Sequence, residues 1–323
     1  MKRPRRNFLH LAAGAAALPA ASRFAWAEAY PTRPVRIILP FPAGQATDTI
    51  ARLVGQSLSE RLRQPFIIEN RTGAGGNIAT ESVVRATPDG YTLLLVGVSN
   101  AMNATLYKKL NFNFIREIAP VASIGGAVYV MVINPSVPAK TVPEFVAYAK
   151  ANPGKINMGS SGSGSVSHVF GERFKWMTGV SLVHVPYRGG YVPDLLSGQV
   201  QIVFGTVTSC IQYIRAGMLR ALAVTTATRS DVLPDVPAMR EVLPGYEASV
   251  WYGVAAPSHT PAEVIGKLNT EVNAVAADPI INARLAGLGI GPARMTSAEF
   301  GRFVADETEK WGKVIRLADI KSE

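Results

Sequence analysis

From Val35 onward the chain alternates short apolar runs of β character with amphipathic helical stretches, and this rhythm constrains the fold more than any other feature. "VRIIL" is followed by a helical pattern over 47–62, then "FIIE", a second helical pattern over 77–86, and "YTLLLVG". The alternation resumes with "YVMVIN", a helix over 142–151, "INMGS", a helix after Ser165, "LVHVP", a short helix near Asp194, "QIVFG" and "LRALAVT". "VWYGVAAP" reads as one more strand, and 261–277, 279–288 and 297–318 read as helices. Strands separated by helices predict parallel α/β layers. Two such series without a long Pro/Gly-rich linker predict two lobes joined by crossing strands, one near 130–134 and a return near 249–255. The last helices then pack back on the first lobe, which becomes discontinuous: 28–131 with 253–323, against 132–252 for the second.

The 323 residues suffice for one large or two medium domains, each with its own core. A formal charge of +10 invites a nucleic-acid reading, but its distribution argues otherwise. Residues 1–27 carry Lys2, Arg3, Arg5, Arg6 and Arg23 and no acid, so about half of the excess belongs to them. The rest is spread without a basic block or aromatic-basic interleaving, which excludes nucleic acid as the expected partner. The same 27 residues have a basic start, an apolar stretch from Phe8 to Ala21 and an Ala25-Trp26-Ala27 cleavage pattern. The stretch is short for a membrane span, and Pro19 interrupts it. Export with cleavage near Ala27 is expected, and Arg5-Arg6 before Phe8-Leu9 is like a twin-arginine signal. Cys210 is the only cysteine, which rules out an internal disulfide and leaves a buried, inert thiol as the expectation.

Two loops stand out because they offer mostly backbone. "PFPAGQATD" follows the first strand: Pro40 and Pro42 end it, Gly44 permits a tight turn, and Thr47 or Asp48 can cap the helix that begins there. A helix start leaves N–H groups unpaired and carries partial positive charge, so it receives an anion without Lys or Arg. In the other half "INMGSSGSGSVSH" repeats the design, with the hydroxyls of Ser160, Ser161 and Ser165 added to the amides of Gly162 and Gly164. Two such starts, one per lobe, would hold a carboxylate between them. "NRTGAGGN" is either a third anion nest or a turn that lets a helix pack closely, the turn being favoured.

Other chemistries fail on spacing. Neither "GAGGNI" nor "GSGSVS" completes G-x-G-x-x-G, and no P-loop motif occurs, so no nucleotide cofactor is implied. Ser occupies the second Gly position of G-x-S-x-G in Gly159-Ser160-Ser161-Gly162-Ser163. His168 follows Ser165 by three residues and is a weak candidate for a base, whereas His184 in "LVHVP" reads as a core histidine. No cluster has metal-ligand spacing. The alternative enzyme is an exported hydrolase using Ser160, Ser161 or Ser165 with His168, and a third reading is an exported scaffold with a large apolar patch.

Nearly the whole mature chain resembles the Bug family of periplasmic solute-binding receptors of tripartite tricarboxylate transporters. The resemblance runs through "YPTRPVRIILPFPAG", "TDTIARL", "IIENRTGAGGNIA", "PDGYTLL", "INPSVPAK", "AYAKANPGKINMGSSG", "HVPYRGG", "DLLSGQV", "AGMLRALAVTTATRSDVLPDVPA", "PGYEASVWYGVAAP" and "EKWGKVI". It implies a two-lobed, hinge-closing α/β fold of the Venus-flytrap type (type II periplasmic binding protein), no enzymatic activity, and a small carboxylate ligand passed to a membrane permease. Receptors that open and close are commonly monomers. Carried onto this sequence, the family's ligand loops are Phe41, Ala43, Gly44, Ala46, Thr47 and Asp48 on one side. On the other they are Ser160, Ser161, Gly162, Gly164, Ser165 and His168. Ser99, Asn100 and Arg188 are placed to reach the distal end of the ligand, Arg188 with a structural role favoured.

Three departures from the family pattern bear on specificity. Gln45 stands where a second Gly is usual and is expected to contact the ligand or the opposite lobe. The segment between Gly190 and Asp194 is about two residues shorter, with Tyr191 at the trimmed corner. A common Asp is replaced by Gly205, which leaves Thr206 and Thr208 as neutral hydroxyls. No amine-recognition role is therefore expected here.

Overall fold

The computed structural model describes residues 30–44, 46–187 and 190–321; the segment expected to direct export, Gln45 and Arg188 lie outside the described residues. The chain opens with β1 (Val35–Leu39), α1 (Ala46–Leu62), β2 (Phe66–Asn70), α2 (Asn77–Val84) and β3 (Thr92–Gly97). Helix α3 (Val98–Leu106) and the short α4 (Phe114–Glu117) lead into β4 (Ile118–Ala127). There follow β5 (Tyr129–Ile133), α5 (Val142–Ala151), β6 (Asn157–Ser160), α6 (Val166–Thr178), β7 (Val183–Pro186), α7 (Val192–Ser197) and β8 (Ile202–Thr206). Next come α8 (Val207–Arg215), β9 (Arg220–Val224), α9 (Met239–Val242) and β10 (Val250–Pro257). The chain closes with α10 (Ala262–Ala277), α11 (Pro279–Gly287), β11 (Ile290–Pro292) and α12 (Ser297–Leu317).

These elements form two sheets, ordered β11-β4-β10-β3-β1-β2 and β7-β6-β8-β5-β9. Strand β3 is buried along its whole length, which is why "TLLLVG" is a continuous apolar run rather than an alternating one. The sheets are mixed, not purely parallel as the alternation predicts. Strand β10 runs antiparallel between β3 and β4, and β5 antiparallel between β8 and β9. Alternation reports that helices cover strands; it carries no information on the direction of a strand that enters from the other sheet.

Val128 alone separates β4 of the first sheet from β5 of the second. Its N–H donates to the Gly289 carbonyl at 3.4 Å, beside β11, and its carbonyl accepts the Val207 N–H at 2.9 Å, at the start of α8. Each sheet is thus tied to the crossing residue. Away from it the two halves meet where α6 packs on α12, with Phe170 and Trp311 stacked at 5.0 Å. Trp311 lies beside Glu307, whose carboxylate is buried and accepts the indole N–H groups of Trp251 (3.1 Å) and Trp311 (2.8 Å) and pairs with Lys310. A buried carboxylate is tolerated only when paired and hydrogen-bonded in this way.

Local sequence explains the helix boundaries at the second loop and at the end of the chain. Ser165 caps α6, Gly179 ends it in the left-handed conformation, and Thr296 with Glu299 forms a capping box on α12.

Candidate functional site

Parallel pairing of β1 and β2 puts Leu39 opposite Asn70, so Asn70 sits beside the loop that follows β1. Its Nδ2 donates to the Phe41 carbonyl (3.0 Å) and to Asp48 Oδ1 (3.0 Å). Asp48 Oδ2 accepts the Gly44 N–H (3.0 Å) and Arg52 Nε (2.9 Å). The hydrogen bond from Arg52, then the Gly44 amide and Asn70, hold the carboxyl down at about 2 against an ordinary 3.8, and burial opposes them. Asp48 therefore fixes the loop at Gly44, and its full charge at the helix start is neutralised by Arg52. Gly44 has φ +82 with open space where a side chain would lie, so the backbone is presented to solvent. The amides of Ala46 and Thr47 have no partner among the described residues, and the Thr47 hydroxyl is buried without one.

The third loop resolves as the close-packing turn. Gly73, Ala74, Gly75 and Gly76 all have positive φ. A Cβ on Gly76 would lie 2.8 Å from Pro40 Cβ, and one on Gly75 would lie 2.6 Å from the Tyr107 hydroxyl. Glycine is needed at both because nothing larger fits between the first loop and the end of α3.

In the second half Ser160 ends β6 fully buried, and its Oγ lies 2.6 Å from His184 Nε2. The same Oγ accepts the Gly162 N–H at 3.2 Å. Ser167 Oγ accepts the Ser161 N–H at 2.9 Å, His168 Nδ1 accepts the Gly164 N–H at 3.0 Å, and Ser165 Oγ caps the helix on the His168 amide. The loop thus consumes several of its own amides to set its shape. Those of Ser163, Val166 and Ser167 have no partner among the described residues, and the Ser161 side chain is exposed. His168 also stacks on His184 at 3.6 Å, with its Nε2 3.5 Å from Glu172. Burial pushes the Glu172 carboxyl up, but hydrogen bonds from His168 and Lys175 outweigh it and hold it below the ordinary value.

The second and third loops approach one helix end. Gly75 of the third loop abuts Tyr107, and a Cβ on Gly164 would lie 2.6 Å from Leu106 Cδ2, so these two reach adjacent residues at the end of α3, while the first loop touches the third through Pro40 and Gly76. At the other end of α3, Asn100 Oδ1 accepts the Gly97 N–H (2.9 Å) while its Nδ2 donates to Thr80 Oγ1 (2.9 Å). Asn100 is therefore occupied as a cap, next to the half-buried Ser99. The Thr206 hydroxyl likewise caps α8 through the Ser209 amide (3.3 Å) and donates to Ser209 Oγ (2.9 Å).

The second and third sequence departures prove to be one. A Cβ on Gly205 would lie 2.7 Å from the Tyr191 hydroxyl and 3.1 Å from Cys210 Sγ. Tyr191 is buried and fills the space that any side chain at 205 would need. Cys210 is itself fully buried, and burial pushes its thiol up.

The geometry gives the hydrolase alternative no support. Ser160 is inaccessible, and its histidine partner is His184 rather than His168. His168 Nδ1 is engaged by Gly164, which leaves the ring N–H on Nε2 facing Glu172, with no lone pair free to accept a serine proton. Asn70, Arg52, Ser163 and Ser167 enter the geometry of the two loops although the sequence did not single them out, and His184, expected in the core, is the half-buried partner of Ser160. Only the i, i+4 spacing of Asp48 and Arg52 carries a legible signal.

Two α/β halves, each with its own sheet and joined at Val128 and by the return from β9 to β10, place the chain among the periplasmic binding proteins, whose fold solved structures share with it. Residues 50–320 match the family described as "Tripartite tricarboxylate transporter family receptor", and the chain belongs to that family. It is 34% identical over 300 residues to Protein BugT of Bordetella pertussis, covering 91% of this chain and 92% of BugT. An R. palustris protein solved with adipate is 34% identical, with a TM-score of 0.77 over 90% of this chain and 99% of that one. MatC from Rhodopseudomonas palustris, solved with bound malate, is 30% identical, with a TM-score of 0.74 over 88% of this chain and 100% of MatC.

Proposed function

We propose that the chain is an exported, non-catalytic receptor that captures a small carboxylate in the periplasm and delivers it to the membrane permease of a tripartite transporter. The observation that carries this reading is the pair of helix starts, α1 and α6, whose amides at Ala46, Thr47, Ser163, Val166 and Ser167 are left unpaired by the described residues. An anion is the natural complement of such groups. That relatives were solved with adipate and malate supports a dicarboxylate or a similar acid. Among the described residues no helix is long and apolar enough to cross a membrane, which agrees with a receptor that leaves the bilayer to its permease.

In this reading the lobes part where the sheets do, a few residues from the bounds expected from sequence: the chain up to Val128 with that from Val250 onward forms one lobe and 129–249 the other, with crossings at Val128 and between β9 and β10. Phe41, Ala43, Gly44, Gln45, Ala46 and Thr47 meet the ligand from the first lobe. Ser161, Gly162, Ser163 and the start of α6 close on it from the second. Asp48, Ser160, Gly164, Ser165 and His168 set the shape of these loops, while Asn100 and Thr206 cap α3 and α8. Closure is favoured only by contacts that ligand makes with both lobes. Charge-assisted hydrogen bonds contribute about 1.5–3 kcal/mol each before ordering costs. Three or four of them bring the dissociation constant to about 1 µM.

Isothermal titration against aliphatic and aromatic carboxylates, adipate and malate included, tests the proposal. At least one acid should bind at micromolar concentration, and mass spectrometry of the native protein should identify an acid that co-purifies. Folded protein that binds no carboxylate contradicts it.

A further inference from the structure

Three surface grooves of about 740, 620 and 540 Å³ meet along α12, and Arg316 lines all three. The largest runs between α6, which follows a strand of the second sheet, and the C-terminal half of α12, which follows a strand of the first. Trp176 and Leu317 on its walls are 58% and 60% exposed. The other two pass the end of α3, and the 620 Å³ groove reaches α4, where Ile115 is 40% exposed.

Charge is concentrated on the same face. With the five basic residues of 1–27 set aside, the chain has 28 Lys and Arg against 23 Asp and Glu. The three grooves together are lined by eight Lys and Arg and only three Asp and Glu, so this face accounts for the whole excess of five. Lys310, Lys313 and Lys321 are paired with Glu307, Glu309 and Asp319. Lys108, Lys109, Arg116, Arg173 and Arg316 have no carboxylate within ion-pair distance among the described residues. Arg173 has a buried Nε without a hydrogen-bond partner.

The dipole of α12 accounts for cations near its C-terminus. It does not account for Lys108, Lys109 and Arg116 on other elements, nor for an exposed tryptophan and leucine flanking the largest groove. Exposed Trp and Arg beside a groove are residue types enriched at protein interfaces.

We propose that this face docks an acidic surface of the transporter's membrane subunit, whose apolar side chains enter the grooves beside Trp176 and Leu317. Concave grooves suit a protein ridge better than the plane of a lipid headgroup layer. Because α6 and α12 follow different sheets, lobe closure reshapes the groove between them, so the same face distinguishes loaded from empty receptor. The proposal rests on the receptor reading above.

The test places a photo-crosslinking benzoylphenylalanine at Leu317 in cells that produce both receptor and transporter. A second probe at Ile280, which is 67% exposed and lines none of the three grooves, serves as control. The Leu317 probe should form an adduct with the membrane subunit. Lys109→Glu with Arg316→Glu should lower its yield about tenfold, since reversing interface charge slows association. Purified double variant should bind adipate or malate as the wild type does. Equal adduct from Ile280, a yield indifferent to charge reversal, or capture by phosphatidylglycerol vesicles without subunit adduct overturns the proposal. Failure of the wild type to bind any carboxylate overturns the receptor reading instead, and calorimetry separates the two.

Discussion

Gly164 meets Leu106 so closely that a Cβ on the glycine would stand 2.6 Å from the leucine Cδ2, and this contact seats the serine-glycine loop of one half on α3 of the other. Gly164 also has φ +74, where a side chain costs about 1–2 kcal/mol. Gly164→Ala should therefore weaken carboxylate binding about tenfold. Adding Leu106→Ala should restore part of it, since the clash is relieved and the backbone strain is not. Titration calorimetry on the single and double variants checks this; a Gly164→Ala protein with unchanged affinity contradicts the seating role.

Asp48 predicts an acid-sensitive step. Its carboxyl titrates near 2 in the folded chain and near 3.8 without its partners. A depressed pKa contributes stability that is complete above about 4 and is lost as pH falls through about 2. Wild-type melting temperature should fall more steeply between pH 4 and pH 2 than that of Asp48→Asn. Parallel melting curves across that window would remove the claim.

Ser160→Ala should destabilise the second half. It removes the hydroxyl that His184 Nε2 and the Gly162 amide share, a loss of about 0.5–1.5 kcal/mol for each hydrogen bond. Urea denaturation measures the cost. A fluorophosphonate probe should leave wild-type protein unlabelled, and labelling that disappears with Ser160→Ala would revive the hydrolase.

Glu307 is the acceptor for two tryptophans and one lysine at the junction of β10, α12 and α6. Glu307→Leu should cost about 3–5 kcal/mol, as for other buried pairs broken from one side. Glu307→Gln retains a carbonyl acceptor and should cost less. Denaturation followed by tryptophan fluorescence reads both, and equal losses would mean that packing rather than hydrogen bonding is at stake.

Tyr191 and Gly205 should behave as one position. Gly205→Asp alone drives a side chain into the Tyr191 hydroxyl and should lower the melting temperature. Tyr191→Ala in the same chain should recover part of that loss, with a coupling visible in a double-mutant cycle. Strict additivity would show that the two residues fill separate spaces.

Most of the long strands and helices were legible in the sequence to within a residue or two, from "VRIIL" to the helix over 142–151, which matches Val142–Ala151, but helices α3 and α8 were not read despite the amphipathic pattern of α8. Strand β4 was not, because Pro120, Gly125 and Gly126 mimic loop chemistry. It forms by pairing with β10 across two irregularities in register, a tertiary effect with no local signature. The two backbone-presenting loops were equally legible, since Gly and Ser between a strand and a helix can hardly do otherwise. Their internal wiring was not. The Ser160–His184 bond depends on the pairing of β6 with β7, and the Asp48–Asn70 bond on that of β1 with β2, both decided by the fold as a whole. Nor did spacing distinguish amides spent on the loop itself, such as Gly164 to His168, from those left for a ligand.

The most direct measurement is the ¹⁵N–¹H correlation spectrum of the labelled protein titrated with the acid that binds best in calorimetry, alongside its uncharged diamide. Amides of Ala46, Thr47, Ser163 and Val166 should shift together with the acid, saturate at its calorimetric dissociation constant, and stay in place with the diamide. A carboxylate that binds while the amides of either helix start remain still would show that its negative charge is held elsewhere.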